Sequence, residues 1–298
     1  MEPCTIIVLG ATGDLSTRKL IPAIYRLLKD NHIDRLALVG LSLADVSVDD
    51  MLNAARPHIA DIDEAVWQRL RDCSYYLSGD FHHITMYAQL ANMLAYVEKK
   101  HNLPGNRLLY LATMPAHFAT LTKQLALHRI VSRGSERAGR GWQRVVYEKP
   151  FGHDGVSAEH INEAIRSVFD ESQVYRIDHY LGKEVVSTIA TLRCANMIFM
   201  PLWHRQYIES VQIILNEHRG IEQRGRYYDS YGALKDMVQN HMLQVLALVA
   251  MEPPESLHDR HIRNAKAEVL SKVRVSDVLL GQYDGYTQEQ FVPADSTT

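Results

Sequence analysis

The feature that most constrains this chain is a short apolar run that ends in a glycine and leads into a helical pattern. Residues 5–9 are apolar and partly β-branched, and Gly10 follows them directly. Residues 15–29 then place apolar side chains at helical spacing. That helical face comprises Leu20, Ile24, Leu27 and Leu28. A buried parallel strand, a glycine turn and a helix in this order predict the opening unit of a doubly wound α/β fold.

The strand-like pattern recurs in the first half of the chain, at residues 36–39, 107–112 and 144–148. Helical patterns lie between these segments, around residues 49–56, 84–100 and 118–131. Because strands and helices alternate, we predict an α/β Rossmann-like dinucleotide-binding domain over residues 1–152. The polar, glycine-rich stretch at 132–141 is interpreted as an exposed loop within this domain.

Beyond residue 152 the regular alternation stops. Helices are predicted at residues 156–170, 182–196 and 229–251, and strands at 209–215, 267–275 and 278–282. This mixture predicts an α+β domain over residues 153–298 that binds the substrate and carries a mainly antiparallel sheet.

Composition excludes several classes of protein. The formal net charge is −3, so no global basic field attracts nucleic acid or a membrane surface, and we expect neither as a partner. Three cysteines without CxxC spacing favour a reduced chain that lacks a disulfide framework or a zinc site. The N-terminal apolar run is far shorter than the ~20 residues needed to span a bilayer, so we expect a cytoplasmic protein.

The turn after the first strand has the composition of a phosphate-binding loop. It comprises Gly10, Ala11, Thr12, Gly13, Asp14 and Leu15. Glycines allow the backbone to approach a pyrophosphate, and the following helix supplies N–H groups with a partial positive charge. The alternative is that Gly13 only permits a tight turn.

The segment YEKPFG places Lys149 where the predicted strand at 144–148 ends. Ligands bind at the carboxyl ends of parallel strands in such sheets. Pro150 favours an extended backbone at Lys149, which helps to direct its ammonium group. The alternative is a solvated lysine at a strand end.

The segment RIDHYLGKE concentrates polar groups, with His179, Tyr180 and Lys183 as donors suited to a phosphate. The Asp178 carboxylate would repel a phosphate, because both groups are negative. It is better suited to orient a histidine. The alternative interpretation is a helix cap at Asp178 followed by a solvated turn.

The segment DMVQNHMLQ places Asp236, Asn240 and His241 on roughly one helical face. One interpretation is a core histidine whose hydrogen bonds are satisfied locally. The other pairs His241 with Asp178, because a carboxylate on one ring nitrogen leaves the second nitrogen as a base.

Together these segments resemble the glucose-6-phosphate dehydrogenase family from about residue 5 to the end of the chain. The resemblance is carried by GATGDLSTRKLIPAIYRL, NRLLYLATMP, YEKPFG, YRIDHYLGKE and RYYDSYGALKDMVQNHMLQVLALVAMEPP. It implies oxidation of D-glucose 6-phosphate at C1 to 6-phosphoglucono-1,5-lactone, with hydride transfer to NAD(P)+ in the pentose phosphate pathway. Alternatives are a short paralogue that oxidises a related sugar or cyclitol phosphate, and a catalytically weak remnant that binds coenzyme.

The resemblance also implies roles for individual residues. His241 resembles the general base and Asp178 its orienting partner. The substrate-binding residues implied are Lys149, His179, Tyr180, Lys183, Glu217 and Asp236. The coenzyme-binding residues implied are Gly10, Ala11, Thr12, Gly13, Asp14, Leu15, Ser42, Ala112, Met114 and Lys149. No metal site is expected.

Two departures from the family pattern qualify these expectations. Leu43 occupies the position where family members that use NADP commonly carry an arginine for the 2′-phosphate, which weakens NADP preference and makes NAD use plausible. The sequence ends at VPADSTT, where family chains continue into further strands and much of the subunit interface. We therefore expect the sheet of the second domain to be incomplete. A homo-oligomer is kept as one alternative for the assembly of the chain.

Overall fold

The computed structural model describes residues 1–134, 136, 139, 141–216 and 220–298. The chain forms two compact units, Met1–Ile177 and Asp178–Thr298. The predicted boundary after residue 152 falls inside the first unit, because the last helix and strand of that unit follow it. As a division between functional domains, that boundary stays a prediction.

The first unit is built on a parallel sheet. Among the described residues its six strands are β1 Cys4–Leu9, β2 Leu36–Ser42, β3 Ser74–Ser78, β4 Arg107–Leu111, β5 Gln143–Tyr147 and β6 Val174–Arg176. Their order across the sheet is β3-β2-β1-β4-β5-β6, and every neighbouring pair is parallel. The strand order reverses between β1 and β4, which is where doubly wound sheets bind ligands. The predicted Rossmann-like architecture is confirmed.

The helices of this unit follow the strands in alternation. They are α1 Ile21–Lys29, α2 Val48–Ala55, α3 Glu64–Asp72, α4 Ile84–Lys100, α5 Phe118–Leu127 and α6 Gly155–Val168. The helical patterns found in the sequence of this unit correspond to α1, α2, α4, α5 and α6. The sequence pattern missed α3, β3 and β6. Strand β3 mixes polar and aromatic side chains that are mostly half-buried, and β6 has three residues, so neither shows a clear apolar run.

The core of this unit lies on both faces of the sheet. Strand β1 sends Ile7 and Leu9 into one apolar cluster and Ile6 and Val8 into the other. Successive side chains of a strand point to opposite faces, so a strand covered on both sides must be apolar throughout. Burying each such side chain contributes roughly 1.5–3 kcal/mol to stability. This burial holds the carboxyl end of β1, and the turn that follows it, in place.

The regular elements found in the described residues of the second unit are helices. It contains α7 Glu184–Cys194, α8 Phe199–Leu202, α9 Gly225–Ala233, α10 Leu243–Ala250 and α11 Asp259–Lys272. A π-helical segment, Leu234–Met242, leads directly into α10. Gly232 interrupts the helical backbone near the end of α9 with φ 66°. The predicted helices at 182–196 and 229–251 are confirmed in outline.

The antiparallel sheet predicted for this unit is not found among its described residues. Most of the stretch 267–275 belongs to α11, where Ile262, Ala265 and Val269 pack on α10 at a spacing of three to four residues. This spacing is that of a helix. Packing at this spacing outweighed the preference of the valines in this stretch for a strand. Residues 209–215 and 278–282 form no regular element. A strand needs a hydrogen-bonded neighbouring strand, and among the described residues no strand pairs with either stretch.

Among the described residues, no helix combines the length and the apolar character needed to cross a bilayer.

Candidate functional site

The turn after β1 depends on a glycine at its first position. Gly10 has φ +94°, and a Cβ atom there would collide with the carbonyl oxygen of Ala112. The Gly10 N–H donates to the Leu41 carbonyl at 2.7 Å, and the Gly13 N–H donates to the Gly10 carbonyl at 3.0 Å. Backbone from the ends of three adjacent strands therefore meets at this turn. Such a cradle of backbone suits a pyrophosphate, which needs close approach and N–H donors.

Hydroxyl groups join this turn to the end of β2. The Tyr76 hydroxyl donates to the Ala44 carbonyl at 2.6 Å and lies 2.6 Å from Ser42 Oγ. Ser42 Oγ in turn lies 2.8 Å from Thr12 Oγ1. The Tyr76 hydroxyl donates its proton to the Ala44 carbonyl. Ser42 therefore donates to Tyr76, and Thr12 donates to Ser42. Sequence reasoning identified Thr12 and Ser42 but missed Tyr76, which lies on the unrecognised strand β3.

Three other predicted residues lie at the same edge of the sheet. Ala112 follows β4 and its N–H donates to Leu9 at 2.9 Å. Met114 is exposed just beyond it. Lys149 follows β5, and the Lys149–Pro150 peptide bond is cis. Since β1, β4 and β5 are adjacent and parallel, their carboxyl ends bring these residues to one edge, as predicted.

The remaining residues of the turn are exposed or half-buried. Asp14 is exposed, and its carboxylate lies 3.5 Å from Arg18 Nε one helical turn later. Leu15 lies just before a π-helical turn, Ser16–Leu20, that opens the first helix. Leu43, directly after β2, is 72% exposed. It offers no charge to an anion at the end of that strand.

In the second unit, His241 and Asp178 form a hydrogen-bonded pair. His241 Nδ1 lies 2.6 Å from Asp178 Oδ1, which also accepts the Tyr180 N–H at 2.9 Å. The His241 side chain is completely buried and that of Asp178 is 14% exposed. When the carboxylate accepts from Nδ1–H, Nε2 is the acceptor nitrogen of the neutral ring. This geometry supports the predicted pairing over a core histidine satisfied within its own helix.

Two more predicted residues contact the His241 ring, and a third lies against one of them. The Tyr180 ring stacks on it, with centroids 4.2 Å apart and planes inclined by 19°. The exposed His179 ring meets it edge-on at 4.4 Å. Lys183 Nζ lies 3.6 Å from the centroid of the Tyr180 ring. The structure thus gathers imidazole, phenol and ammonium groups beside the Asp178–His241 pair.

Local turns place these groups. The Leu181 N–H donates to the Asp178 carbonyl at 3.1 Å, and the Lys183 N–H donates to the Tyr180 carbonyl at 3.0 Å. Lys183 is the N-cap residue of α7. His241 lies on the π-helical segment, whose wider turns often occur at functional positions.

Asp236 lies on the same π-helical segment and is buried. Its carboxylate accepts a hydrogen bond of 3.2 Å from Tyr227, whose ring stacks on Tyr231 at 4.6 Å. Burial, and next the Asp236 charge, raise the pKa of Tyr227, so its hydroxyl keeps its proton and donates at neutral pH. Sequence reasoning missed Tyr227, because Gly232 breaks the helical spacing that would have related it to Asp236. Glu217, predicted to bind sugar hydroxyls, lies outside the described residues.

Asp178, His179 and His241 present potential ligand atoms within 4.8 Å of one another. Two ligand atoms of a tetrahedral zinc ion with bonds of ~2.0–2.1 Å are separated by roughly 3.3 Å. Asp178 Oδ1 and His241 Nδ1 lie 2.6 Å apart, too close for these two atoms to bind one ion together. This pair of atoms is therefore joined by a hydrogen bond and does not act as a pair of metal ligands.

Two family models together match nearly the whole chain. Residues 7–188 match the family model "Glucose-6-phosphate dehydrogenase, NAD binding domain", and residues 190–298 match "Glucose-6-phosphate dehydrogenase, C-terminal domain". The chain is 40% identical over 311 residues to glucose-6-phosphate 1-dehydrogenase of Bacillus subtilis (strain 168), covering 98% of this chain and 62% of that protein. It thus spans about three-fifths of the length of this curated relative.

Solved structures give the same result. A glucose-6-phosphate 1-dehydrogenase from Mycobacterium avium matches with a TM-score of 0.85 at 38% identity, over 99% of this chain and 64% of the other. A glucose-6-phosphate dehydrogenase in complex with its substrate glucose-6-phosphate matches with a TM-score of 0.90 at 32% identity, over 99% and 63%. With family models matched along both units, this chain belongs to the glucose-6-phosphate dehydrogenase family.

Proposed function

We propose that this chain oxidises D-glucose 6-phosphate at C1 to 6-phosphoglucono-1,5-lactone and uses a nicotinamide dinucleotide as hydride acceptor. The observation that carries the proposal is the 2.6 Å hydrogen bond between Asp178 and the buried His241. Family membership supports the reaction class, and a relative of known structure is described as bound to glucose-6-phosphate.

In the proposed reaction, His241 Nε2 accepts the proton of the C1 hydroxyl. The Asp178 carboxylate holds Nδ1–H and stabilises the imidazolium that forms, which is the usual work of such a pair. A bound nicotinamide dinucleotide would supply the acceptor for the hydride that leaves C1. Proton and hydride leave together, so the C1 hydroxyl becomes the carbonyl of the lactone.

The phosphate of the substrate is proposed to bind His179, Tyr180 and Lys183. These side chains offer an imidazole, a phenol and an ammonium group within one short segment, and charge-assisted hydrogen bonds to phosphate are strong. Lys183 supplies a fixed positive charge for the anion. Its position next to Tyr180, which stacks on His241, would place the sugar near the base.

The sugar hydroxyls are proposed to bind Asp236, together with Glu217 and Lys149. The Tyr227 hydroxyl donates to the buried Asp236 carboxylate, and carboxylate oxygens are acceptors suited to sugar hydroxyls. For Glu217 the proposal rests on the resemblance of the chain to the family. Lys149 is proposed to reach both sugar and coenzyme from the end of β5.

The coenzyme is proposed to bind the turn Gly10–Leu15 with its diphosphate, and Ser42, Ala112, Met114 and Lys149 with its other parts. The backbone cradle at Gly10, which a side chain would fill, fits such a group. We further propose that NAD is accepted. The exposed Leu43 gives no positive charge for the 2′-phosphate of NADP, whereas the Thr12–Ser42–Tyr76 hydroxyls suit a ribose.

The test is the absorbance at 340 nm of the chain with glucose 6-phosphate and each coenzyme. We expect turnover that falls by ~10²–10⁴ in His241→Asn, the usual contribution of a general base. Coenzyme binding, followed separately by fluorescence, should survive in this variant. His258→Asn is the control, since His258 is exposed in the same unit.

Other outcomes would change the proposal. Coenzyme binding without reduction in the presence of any sugar phosphate would refute an active dehydrogenase and favour a coenzyme-binding role. Turnover only on another sugar or cyclitol phosphate would refute the substrate but keep the chemistry.

A further inference from the structure

Helix α9 carries Tyr227, the donor to Asp236, but it is marginally stable by itself. It has 9 residues, and Gly232 interrupts its helical backbone near the end with φ 66°. Isolated helices shorter than ~12–15 residues are marginal in water. Among the described residues, no member of α9 belongs to the apolar cluster around Leu248 and Met251. The helix therefore depends on contacts with another part of the unit.

The 283–298 segment supplies such contacts, and they converge on one residue of α9. The Asp229 carboxylate accepts hydrogen bonds from the Tyr286 hydroxyl at 3.1 Å and from the Ser296 hydroxyl. The Asp229 carbonyl oxygen accepts from Thr298 Oγ1 at 2.7 Å. A single residue of the helix thus bonds to three positions of the segment.

This contact is buried at its centre. Tyr286 is 1% exposed, and the centroid of its ring lies 6.1 Å from that of Tyr228 on α9. Burial, and next the bond to Asp229, raise the pKa of Tyr286 to about 12, so its hydroxyl keeps its proton and donates at neutral pH. Gly225, the first residue of α9, is buried, and a Cβ atom there would collide with the Gln290 carbonyl oxygen. The segment therefore contacts both the start and the middle of the helix.

We propose that Asp229 and Tyr286 are positioning residues for the sugar site. They hold α9 in the direction in which the Tyr227 hydroxyl reaches Asp236. This inference rests on the proposed function, in which Asp236 binds sugar hydroxyls. Tyr227 lies two positions before Asp229, and side chains at this spacing point to different sides of a helix. The segment thus holds one side of α9 while Tyr227 donates from another.

The bond between Tyr227 and Asp236 is sensitive to the direction of α9. Tyr227 lies before the interruption at Gly232 and Asp236 lies after it, so a rotation at this point moves donor and acceptor apart. Hydrogen bonds weaken steeply as their geometry departs from the optimum. The stacked ring of Tyr231 belongs to the same helix as Tyr227, so it orients that ring without holding the helix.

The test follows Tyr227 directly, by ¹⁹F NMR of the full chain labelled with 3-fluorotyrosine. Tyr227→Phe assigns its signal in each background, and Asp236→Asn gives the position of the signal without the charged acceptor. Tyr286→Phe keeps the buried ring and removes one donor to Asp229. We expect it to move the Tyr227 signal toward the position seen in Asp236→Asn. Asp229→Ala, which removes the acceptor itself, should move the signal further.

Each substitution has a matched control in the same unit. Tyr207→Phe removes the hydroxyl of a tyrosine that is 66% exposed. Ser230→Ala removes an exposed hydroxyl of α9 that donates to the Arg226 carbonyl within the helix. Neither control should move the signal. An unmoved signal in folded Tyr286→Phe or folded Asp229→Ala, or an equal movement in the controls, would overturn the proposal. If Asp229→Ala does not fold, Tyr286→Phe decides the question.

Binding of glucose 6-phosphate, measured by calorimetry without coenzyme, tests the consequence for the sugar site. Tyr286→Phe should weaken this binding about 2- to 10-fold, the equivalent of one neutral hydrogen bond. In the Tyr227→Phe background the same substitution should weaken it no further. Equal weakening in both backgrounds would show that Tyr286 does not act through Tyr227, and a loss caused by general instability would have this result.

The two measurements separate this inference from the proposed function. If the unmodified chain does not bind glucose 6-phosphate, the proposed substrate is wrong. The ¹⁹F signal is read without any ligand, so it still decides whether Asp229 and Tyr286 place the Tyr227 hydroxyl.

Discussion

His241 and Asp178, 63 positions apart in the chain, meet at 2.6 Å between Nδ1 and Oδ1. Asp178 holds the ring through Nδ1 and is itself held by the Tyr180 N–H. Replacing Asp178 by Asn keeps the size of the side chain but removes the charge and favours the wrong ring tautomer. We expect kcat to fall by ~10²–10⁴ with a smaller change in KM, measured as steady-state reduction of coenzyme at 340 nm.

Asp277→Asn is the control for that experiment, since Asp277 is exposed in the same unit. Equal kcat values for Asp178→Asn and the unmodified chain would contradict a role for the carboxylate in orienting the base.

Gly10→Ala tests the backbone cradle after β1. The φ of +94° and the carbonyl oxygen of Ala112 leave no place for a Cβ atom. We expect a loss of stability of about 1–3 kcal/mol, the usual scale of such backbone strain, and weaker coenzyme binding. Denaturant unfolding and fluorescence titration with NAD measure the two effects.

Gly155→Ala is the matched control for Gly10→Ala, because a Cβ atom there meets nothing within 4 Å. If Gly10→Ala binds coenzyme as tightly as this control, the turn does not hold the diphosphate.

Leu43→Arg tests coenzyme choice. The side chain is 72% exposed after β2, so the substitution disturbs no core and adds a guanidinium group suited to a 2′-phosphate. We expect the ratio of kcat/KM for NADP to that for NAD to rise about 10- to 100-fold, the equivalent of one strong charge-assisted contact. Leu127→Arg, at a position 70% exposed in the same unit, should leave the ratio unchanged. A ratio that stays constant in Leu43→Arg would place the 2′-phosphate elsewhere.

Tyr227→Phe tests the support of Asp236. The variant keeps the stacked ring but removes one donor to a buried carboxylate. We expect a loss of stability of about 1.5–3 kcal/mol, the scale of a hydrogen bond to a charged group, and a higher KM for the sugar phosphate. Thermal unfolding and steady-state kinetics measure both.

Tyr231→Phe is the neighbouring control for Tyr227→Phe, since its ring takes part in the same stack. Equal effects of the two substitutions would attribute the result to packing and not to the bond with Asp236.

Local pattern predicted most of the first unit. The apolar run of β1, the glycine after it and the helical face of α1 all appear in the structure as expected, because each is encoded within about fifteen consecutive residues. Strand β3 was missed because its half-buried side chains follow no clear apolar pattern. Its neighbour β2 supplies the hydrogen bonds that make it a strand.

In the second unit, local pattern predicted two of the helices but not which segments pack against them. Valines around residue 270 favoured a strand, yet packing of α11 on α10 made that stretch helical. The same packing brought Lys266 to Gln244, a contact that no spacing in the sequence indicates.

By itself, the sequence determined the doubly wound first unit, the family and the identity of the polar side chains available for chemistry. Only the tertiary structure decided which of those side chains meet. It selected the pairing of Asp178 with His241 over a locally satisfied core histidine, and it placed Tyr227 against Asp236. The physical reason is the separation along the chain over which each kind of interaction acts. Helical and strand periodicity act over a few residues, whereas a hydrogen bond between distant residues forms only when packing has brought both ends of the chain segment together.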